Sequence, residues 1–132
     1  MIEAALFGHL STDAGLSALA GTRVYPVQLP QDATLPALTF QRVSTRPVTH
    51  RDSTVPTYSR PRYQINCWSS SFDGAVALRL ALRLAMGTLA QASGPRIDVA
   101  LMQDDRDVVE AAPGRWVASL DYFVWHAEQL GD

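Results

Sequence analysis

In the first part of the chain, apolar residues recur among polar ones at helical spacing. Apolar positions recur every three to four residues between Ile2 and Leu10, which predicts an amphipathic helix. Ser11 to Asp13 then offers side chains that cap helix N-termini, and a second short helix is expected through Leu16 and Leu19. Gly21 is a typical residue just beyond a helix C-terminus. The chain is therefore expected to open with two short helices.

Three strands are predicted to follow. Residues 23–26 form a short apolar run that ends in proline, and residues 37–44 are rich in β-branched and aromatic residues. Residues 62–68 alternate, with Tyr63, Ile65 and Cys67 on one face, which is typical of a half-buried strand. The segment between them, from Thr45 to Arg60, has two prolines and few large apolar residues. It is expected to be a loop or a protruding hairpin.

A long helix is predicted from about Ser71 to Gln91. Ser70 to Asp73 matches a capping box, and the Ser93-Gly94-Pro95 run would end the helix. Its large apolar side chains surround almost the whole circumference: Phe72, Val76, Leu78, Leu80, Leu82, Leu84, Met86 and Leu89. A surface helix of an isolated domain has a single apolar stripe, so the outer side of this helix is expected to be covered by another protein.

The C-terminal third is predicted to contain strands. Ile97, Val99 and Leu101 alternate with polar residues, and residues 104–107 are expected to form the turn after them. A return strand is expected over Val108 to Ala111, followed by a turn or bulge at Pro113-Gly114, and the last strand covers residues 116–125 with apolar residues on both faces. The order ααβββαβββ predicts an α+β domain, in which two short N-terminal helices and one long helix pack on a mostly antiparallel sheet.

Composition places limits on the function. The 132 residues are expected to form one domain, residues 1–132, and the net charge of −2 argues against a general nucleic-acid binder. All eleven basic residues are arginines, as in proteins from GC-rich genomes and at interfaces that use bidentate contacts. The N-terminus does not resemble a signal peptide, and residues 75–89 contain two arginines, so neither secretion nor a membrane span is expected.

The sequence does not favour a catalytic or a metal-binding function. His9, His50 and His126 are scattered, and Cys67 is the only cysteine, so a zinc site or a Cys–His nucleophile is not expected. Cys67 is expected to be a buried small hydrophobe. The acidic run from Asp98 to Glu110 lacks the glycine placement of a calcium loop and is interpreted as a solvated turn. Neither a cofactor nor an enzymatic activity is expected.

Protein–protein interfaces are the favoured hypothesis. The basic segment at 45–60 is interpreted as a recognition arm, which would meet an acidic surface on a neighbouring copy. The long helix provides a further candidate interface. The candidate arm residues are Arg46, His50, Arg51, Asp52 and Arg60, the candidate acidic surface is Asp104, Asp105, Arg106 and Asp107, and the helix positions are Arg79 and Arg83.

Four segments together resemble a phage tail-completion family. The segments are Ile2 to Pro26, Leu35 to Ser44, Arg60 to Trp68 and Asp121 to His126. Their order and spacing are similar to those of tail terminator, or tail-to-head joining, proteins of long-tailed phages and gene-transfer agents. The resemblance covers almost the whole chain, although residues 45–60 lie in the variable region of that family.

The resemblance implies an α+β protein of the virion, assembled in the host cytoplasm, that forms a hexameric ring at the head-proximal end of the tail. Such a ring caps the tail tube, contacts the tube protein and the head-side connector or stopper, and lets DNA pass through its channel. The family has no catalytic residues and no cofactor. Three alternatives remain open from the sequence. One is a head-side connector or stopper ring, and another is a nucleic-acid-binding module that uses the basic block from Arg42 to Arg62. The third is a small hydrolase, which would need a pocket that joins Cys67 or a histidine to a carboxylate.

Overall fold

The computed structural model describes residues 2–48, 57–90 and 97–128. The element order is the predicted one, with three helices and six strands in this part of the chain. The helices are α1 (Ile2–Thr12), α2 (Ala14–Ala20) and α3 (Phe72–Met86). The strands are β1 (Val24–Pro26), β2 (Ala37–Val48), β3 (Thr57–Ser69), β4 (Ile97–Asp105), β5 (Val109–Ala112) and β6 (Arg115–Glu128). The predicted α+β class is confirmed.

The six strands form one sheet in the order β1-β2-β3-β6-β4, and β5 pairs with β6 beyond the end of β4. All pairs are antiparallel except β1 with β2. The helices α1, α2 and α3 pack on one face of this sheet, and the opposite face has no helix on it in the described part of the chain. The architecture therefore has two layers around a single core.

The core lies between the helices and the inner sheet face. Leu6 and Leu10 of α1 and Leu78 and Leu82 of α3 are completely buried there. The sheet contributes the alternating residues of β3 and β6 that face the helices: Tyr63, Ile65, Cys67, Ala118, Leu120, Tyr122 and Val124. The predicted inward face of β3 is confirmed, and Cys67 is buried as expected.

The two N-terminal helices lie where they were predicted, except that α1 continues beyond Leu10 to Thr12. Asp13 is the N-cap of α2, and its carboxylate accepts a hydrogen bond from the backbone N–H of Leu16 at 3.1 Å. Gly21 follows the helix with a φ of 59°, a region that favours glycine. His9 joins the helices α1 and α3, because its Nε2 lies 2.7 Å from the backbone oxygen of Ala85.

Helix α3 is shorter than predicted. It ends at Met86 and is followed by Gly87, whereas Gln91 and the predicted stop at 93–95 lie outside the described residues. The predicted capping box is also wrong by one position. Ser71 is the N-cap and accepts a hydrogen bond from the N–H of Gly74, so a glycine occupies the position where the box needs an acidic side chain.

The segment between β2 and β3 is largely a β-hairpin. The two strands remain paired from Thr45 opposite Pro61 to Val48 opposite Tyr58, and a register shift lies between Arg42 and Ser44. Both Pro47 and Pro61 are part of these strands. Proline has no backbone N–H to donate to a neighbouring strand, so it is usually confined to edge strands, to the first residue of a strand or to bulges. The residues between the strand ends, 49–56, lie outside the described part of the chain.

Strand β4 differs from the prediction in two ways. A register shift between Ile97 and Val99 places Ile97 in the core, while Val99 and Leu101 are exposed. The strand continues to Asp105, so Asp104 and Asp105 are not in the predicted turn. Alternation alone could not reveal either feature, because a β-bulge changes which face each later residue occupies.

Candidate assembly surfaces

Helix α3 exposes two large apolar side chains on the side that faces away from the sheet. Leu80 is 58% exposed and Leu84 is 69% exposed. Its opposite face, with Leu78 and Leu82, is completely buried. The predicted apolar surplus on the outer side of this helix is therefore present, although the helix does bury one regular face against its own sheet.

The arginines of α3 are held by a carboxylate of the same chain. Asp105 lies at the end of β4 on the helix side of the sheet, 3.5 Å from Nη1 of Arg79 and 3.9 Å from Nη1 of Arg83. The structure thus brings together residues of two predicted surfaces, the arginines of α3 and Asp105 of the acidic surface, both of which were expected to contact other molecules. The one carboxylate balances only part of the positive charge of the two guanidinium groups, and these ion pairs attach α3 to the far edge of the sheet.

The open face of the sheet carries an arginine–carboxylate cluster. Asp121 of β6 is only 2% exposed, and its Oδ2 accepts hydrogen bonds from Arg62 Nε at 2.9 Å and Arg62 Nη2 at 2.6 Å. Arg106 adds contacts at 3.1 and 3.3 Å, and its Nε also lies 3.4 Å from an Asp104 oxygen. Sequence reasoning missed Asp121, although a single acidic residue within an otherwise apolar strand is a signal for such a cluster.

Arg60 extends this cluster toward the β2–β3 hairpin. Its guanidinium carbon lies 4.6 Å from the ring centre of Phe123 and 5.2 Å from that of Trp125. Cation–π contact of this kind holds a long side chain in place and favours arginine over lysine. Arg60 is therefore an ordered cation beside two aromatic rings at the base of the candidate arm.

The edge formed by β4 and β5 is exposed along most of its length. Leu101, Met102 and Val109 all have substantial exposed surface there. Acidic residues accompany them at Asp104, Asp107 and Glu110, and every residue of β5 is exposed. Such an edge offers unpaired backbone groups together with apolar side chains, a combination that favours contact with another chain.

A mainly apolar groove lies at the opposite edge of the sheet, beside α1. It has a volume of about 670 Å³ and is lined by Phe7, Val27, Phe40 and Tyr63 among others. Arg42 closes one end, where its Nη2 donates to Glu3 at 2.6 Å and to the Tyr63 hydroxyl at 3.0 Å.

The arginine at the end of this groove stays charged. Burial acts to lower the pKa of Arg42, but the hydrogen bond to the Tyr63 hydroxyl and the Glu3 carboxylate outweigh it and raise the pKa above its usual value. The groove therefore combines an apolar floor with a fixed ion pair at its rim, which is the composition expected of a protein-binding surface.

Val27 has an unusual backbone at the rim of the groove. Its φ is +66°, and the N–H of Gln28 donates to the carbonyl oxygen of Pro26 at 2.7 Å, which closes a γ-turn around Val27. A positive φ is an outlier for a β-branched residue. The Val27 side chain is also 67% exposed, so the monomer gains little burial in return for this strain.

Replacing Val27 with glycine is expected to raise the free energy of unfolding by about 1 kcal/mol. Relief of the strained φ exceeds the added flexibility that glycine gives the unfolded chain. Urea denaturation measures the change. The matched control is Val43→Gly, since Val43 is exposed in β2 without a positive φ, and this variant should be less stable by under about 1 kcal/mol. If both variants lower the free energy of unfolding by the same amount, the backbone at Val27 is not strained.

The groups considered for catalysis lie apart in the structure. Cys67 is buried in the core, and burial raises the pKa of its thiol, which disfavours the reactive thiolate. His9 lies between α1 and α3, and His126 is buried on β6. Within residues 2–48, 57–90 and 97–128, no group of three histidine, cysteine or acidic side chains is placed to hold a metal ion. No helix in the same ranges is long and apolar enough to cross a membrane.

Of the remaining arm candidates, only Arg46 lies within the described residues. Arg46 lies in β2 opposite Arg60 of β3, so the hairpin places these two positions side by side. His50, Arg51 and Asp52 lie outside the described residues. The surfaces at Met102 and Val27 were not predicted, because neither a β-bulge nor a positive φ has a clear signature in this sequence.

Comparisons with known proteins place the chain among tail proteins. The family model described as tail completion protein gp17 matches residues 4–127. Among solved structures, a chain from a structure titled "Virion of native gene transfer agent (GTA) particle" superposes with a TM-score of 0.66 at 20% sequence identity. That match covers 96% of this chain and 95% of the other, and at this identity it shows a shared fold. No curated protein sequence matches this chain significantly.

Proposed function

The chain belongs to the tail completion protein gp17 family, and on that premise we propose that it is a tail terminator. Family membership makes it a structural protein of the virion tail, which works by contact with other tail or head proteins. In the proposed role, six copies form a ring that caps the finished tail tube and joins it to the head. The ring acts through binding alone, without catalysis or a cofactor. The shared fold with a chain of a gene transfer agent virion supports a role in such a particle.

The observation that carries this proposal is apolar surface on three sides of a small domain. Leu80 and Leu84 lie on α3, Leu101 and Met102 on the β4 edge, and Val27 beside the groove. Burial of apolar surface stabilises a complex by roughly 25 cal/mol for each Å² removed from water. A domain with several separate patches of this kind is suited to contact with more than one neighbour at once, as a ring subunit requires.

A ring would end tube growth by geometry. Head-to-tail contact between copies closes when the rotation between neighbours divides a full turn. One side of the closed ring would then match the stacking surface of the tail tube protein, while the other side would match the head-side connector or stopper. Because the second side differs from the first, no further tube subunit could add. The DNA would pass through the central channel.

The arm would contribute to joining. Arg46 and Arg60 are paired positions of the β2–β3 hairpin, and His50, Arg51 and Asp52 follow β2 in the sequence. We propose that this arm contacts an acidic surface of a neighbouring copy. Asp105 is already matched by α3, and Asp104 by Arg106, so Asp107 with Glu110 would provide most of the remaining negative charge.

Deleting the gene in the phage or phage-like element that encodes it is expected to give tails longer than normal and heads without attached tails. Negative-stain electron microscopy of the particles measures both quantities. A gene with Arg46, His50 and Arg51 changed to serine should restore normal tail length but yield fewer joined particles. The wild-type gene serves as the control and should restore both.

Other outcomes would separate the alternatives. Tails of normal length that remain unattached would contradict the terminator role and favour a head-side connector or stopper. Normal, joined particles without the gene would exclude both ring functions. An arm variant that joins heads and tails as efficiently as the wild-type protein would show that the arm has no role in joining.

A further inference from the structure

The two edges of the sheet are complementary and lie at its opposite ends. Four inter-strand spacings separate β1 from β4, which corresponds to about 19 Å. We infer that the β4–β5 edge of one copy docks on the β1–β2 edge of the next copy, with Met102 entering the groove beside Val27. This inference rests on the proposed ring and defines which surfaces close it.

The groove edge has room for another strand. Strand β1 covers only Leu38–Phe40 of β2, so β2 continues from Gln41 to Val48 without a strand on that side in the described part of the sheet. On the opposite side of the molecule, β4 is the last strand of its edge and has nine residues. The free part of β2 and the free side of β4 are therefore similar in length.

The strand directions also agree. Strand β2 is antiparallel to β3, β3 is antiparallel to β6, and β6 is antiparallel to β4, so β2 and β4 run in opposite directions. A rotation about an axis along the strands preserves these directions. The β4 strand of one copy would therefore meet β2 of the next in the antiparallel arrangement, which is the more favourable pairing.

Side chains on the matching faces fit this arrangement. Met102 lies opposite Tyr122 on the helix side of β4 and is 44% exposed. The groove opens on the same side of the sheet, between α1 and the β2 residues Phe40 and Arg42. If the sheet continues from copy to copy, Met102 reaches this groove, and methionine is well suited to fill an irregular apolar space.

Charge favours a second copy as the occupant. The exposed β4–β5 edge carries Asp104, Asp107 and Glu110, with Arg106 as its one basic residue. Strand β2 of the opposite edge contains Arg42 and Arg46 and no acidic residue, and the carboxylate beside it is Glu3 of α1, which pairs with Arg42. Attraction between the acidic edge and the basic edge orients the two copies, and repulsion between two acidic edges disfavours the wrong pairing.

The same contact explains two features that the monomer leaves unexplained. The strained Val27 would bury its side chain against the neighbouring copy, which would offset the cost of its positive φ. Register shifts at Arg42/Ser44 and at Met102/Asp104 interrupt both edges. Bulged edges resist indiscriminate pairing, so the side chains rather than a long backbone ladder would select the correct partner.

Two single variants and their mixture test the inference. Val27→Asp and Met102→Asp each place a carboxylate in the contact, and each alone is expected to raise the dissociation constant of the oligomer at least about tenfold. Light scattering measures the mass, and circular dichroism verifies the fold. An equimolar mixture should form a 1:1 dimer, because the Val27→Asp chain keeps its Met102 and the Met102→Asp chain keeps its groove.

Leu19→Asp is the control, since Leu19 is exposed on α2 and belongs to neither sheet edge, and it should leave the oligomer intact. An oligomeric wild-type protein whose mass is unchanged in both edge variants would overturn the inference and leave the ring possible. Dissociation by Leu19→Asp alone would place the contact on α2 and overturn it as well. A mixture that stays monomeric would contradict the head-to-tail arrangement. A wild-type protein that is monomeric at high concentration would instead count against the proposed ring itself.

Discussion

Between pH 10 and pH 12, the free energy of unfolding is expected to fall by about 4 kcal/mol, because two buried tyrosines resist ionisation in the folded protein. Burial raises the pKa of Tyr63 and of Tyr122 from 10.0 to about 12. Above pH 10 the unfolded chain loses these protons while the folded chain keeps them. The stability that the two neutral hydroxyls preserve is thus present below pH 10 and is lost as the pH rises toward 12.

Urea denaturation at pH 9 and at pH 11.5 measures this loss. The matched variant is Tyr122→Phe, which keeps the buried ring and removes one ionisable hydroxyl. Its stability should fall by about 2 kcal/mol less than that of the wild-type protein over the same range, which is the contribution of one tyrosine. Burial also raises the pKa of the Cys67 thiol, which adds a loss of the same sign. Parallel pH dependence in the variant and the wild-type protein would show that Tyr122 ionises normally in the folded state.

Replacing Asp121 with alanine is expected to lower the free energy of unfolding by about 3 kcal/mol. The substitution removes the charge-assisted hydrogen bonds from Arg62 and Arg106 and leaves the two guanidinium groups close together. Both arginines are partly exposed and regain some hydration, so the loss should be smaller than for a completely buried pair. Chemical denaturation at neutral pH provides the measurement.

Asp104→Ala is the matched control for this prediction. Asp104 is exposed and makes a single ion pair with the same Arg106, at 3.4 Å, so its removal should cost less than about 0.5 kcal/mol. If Asp121→Ala and Asp104→Ala have similar small effects, the arginines of the open face are held by Phe123 and Trp125 rather than by the buried carboxylate.

The order and type of the helices and strands were predicted well, because the apolar pattern of each element depends only on residues within that element. The helical spacing around Leu6 and Leu10 and the alternation of Tyr63, Ile65 and Cys67 correspond to buried faces in the structure. The errors concern boundaries and bulges. The helix ends at Met86 because a glycine follows it, although the apolar pattern continues to Leu89, which is buried beyond the helix end.

The assembly surfaces were less predictable, because they depend on what the fold leaves uncovered. The apolar surplus of α3 was visible in the sequence, and Leu80 and Leu84 account for it. The pairing of Arg79 and Arg83 with Asp105 was not, since it joins residues from two distant elements. Val27 could not be recognised either, because its significance lies in a backbone angle and not in its residue type.

In the proposed function, this protein forms a ring at the head-proximal end of the tail. Cryo-electron microscopy of intact particles tests it most directly, because it locates every copy of the chain. We expect one closed ring between the tail tube and the head-side connector, with the Val27 groove of each copy covered by its neighbour. A reconstruction in which a single copy of the chain binds the particle, with both sheet edges and the outer side of α3 exposed to solvent, would contradict it.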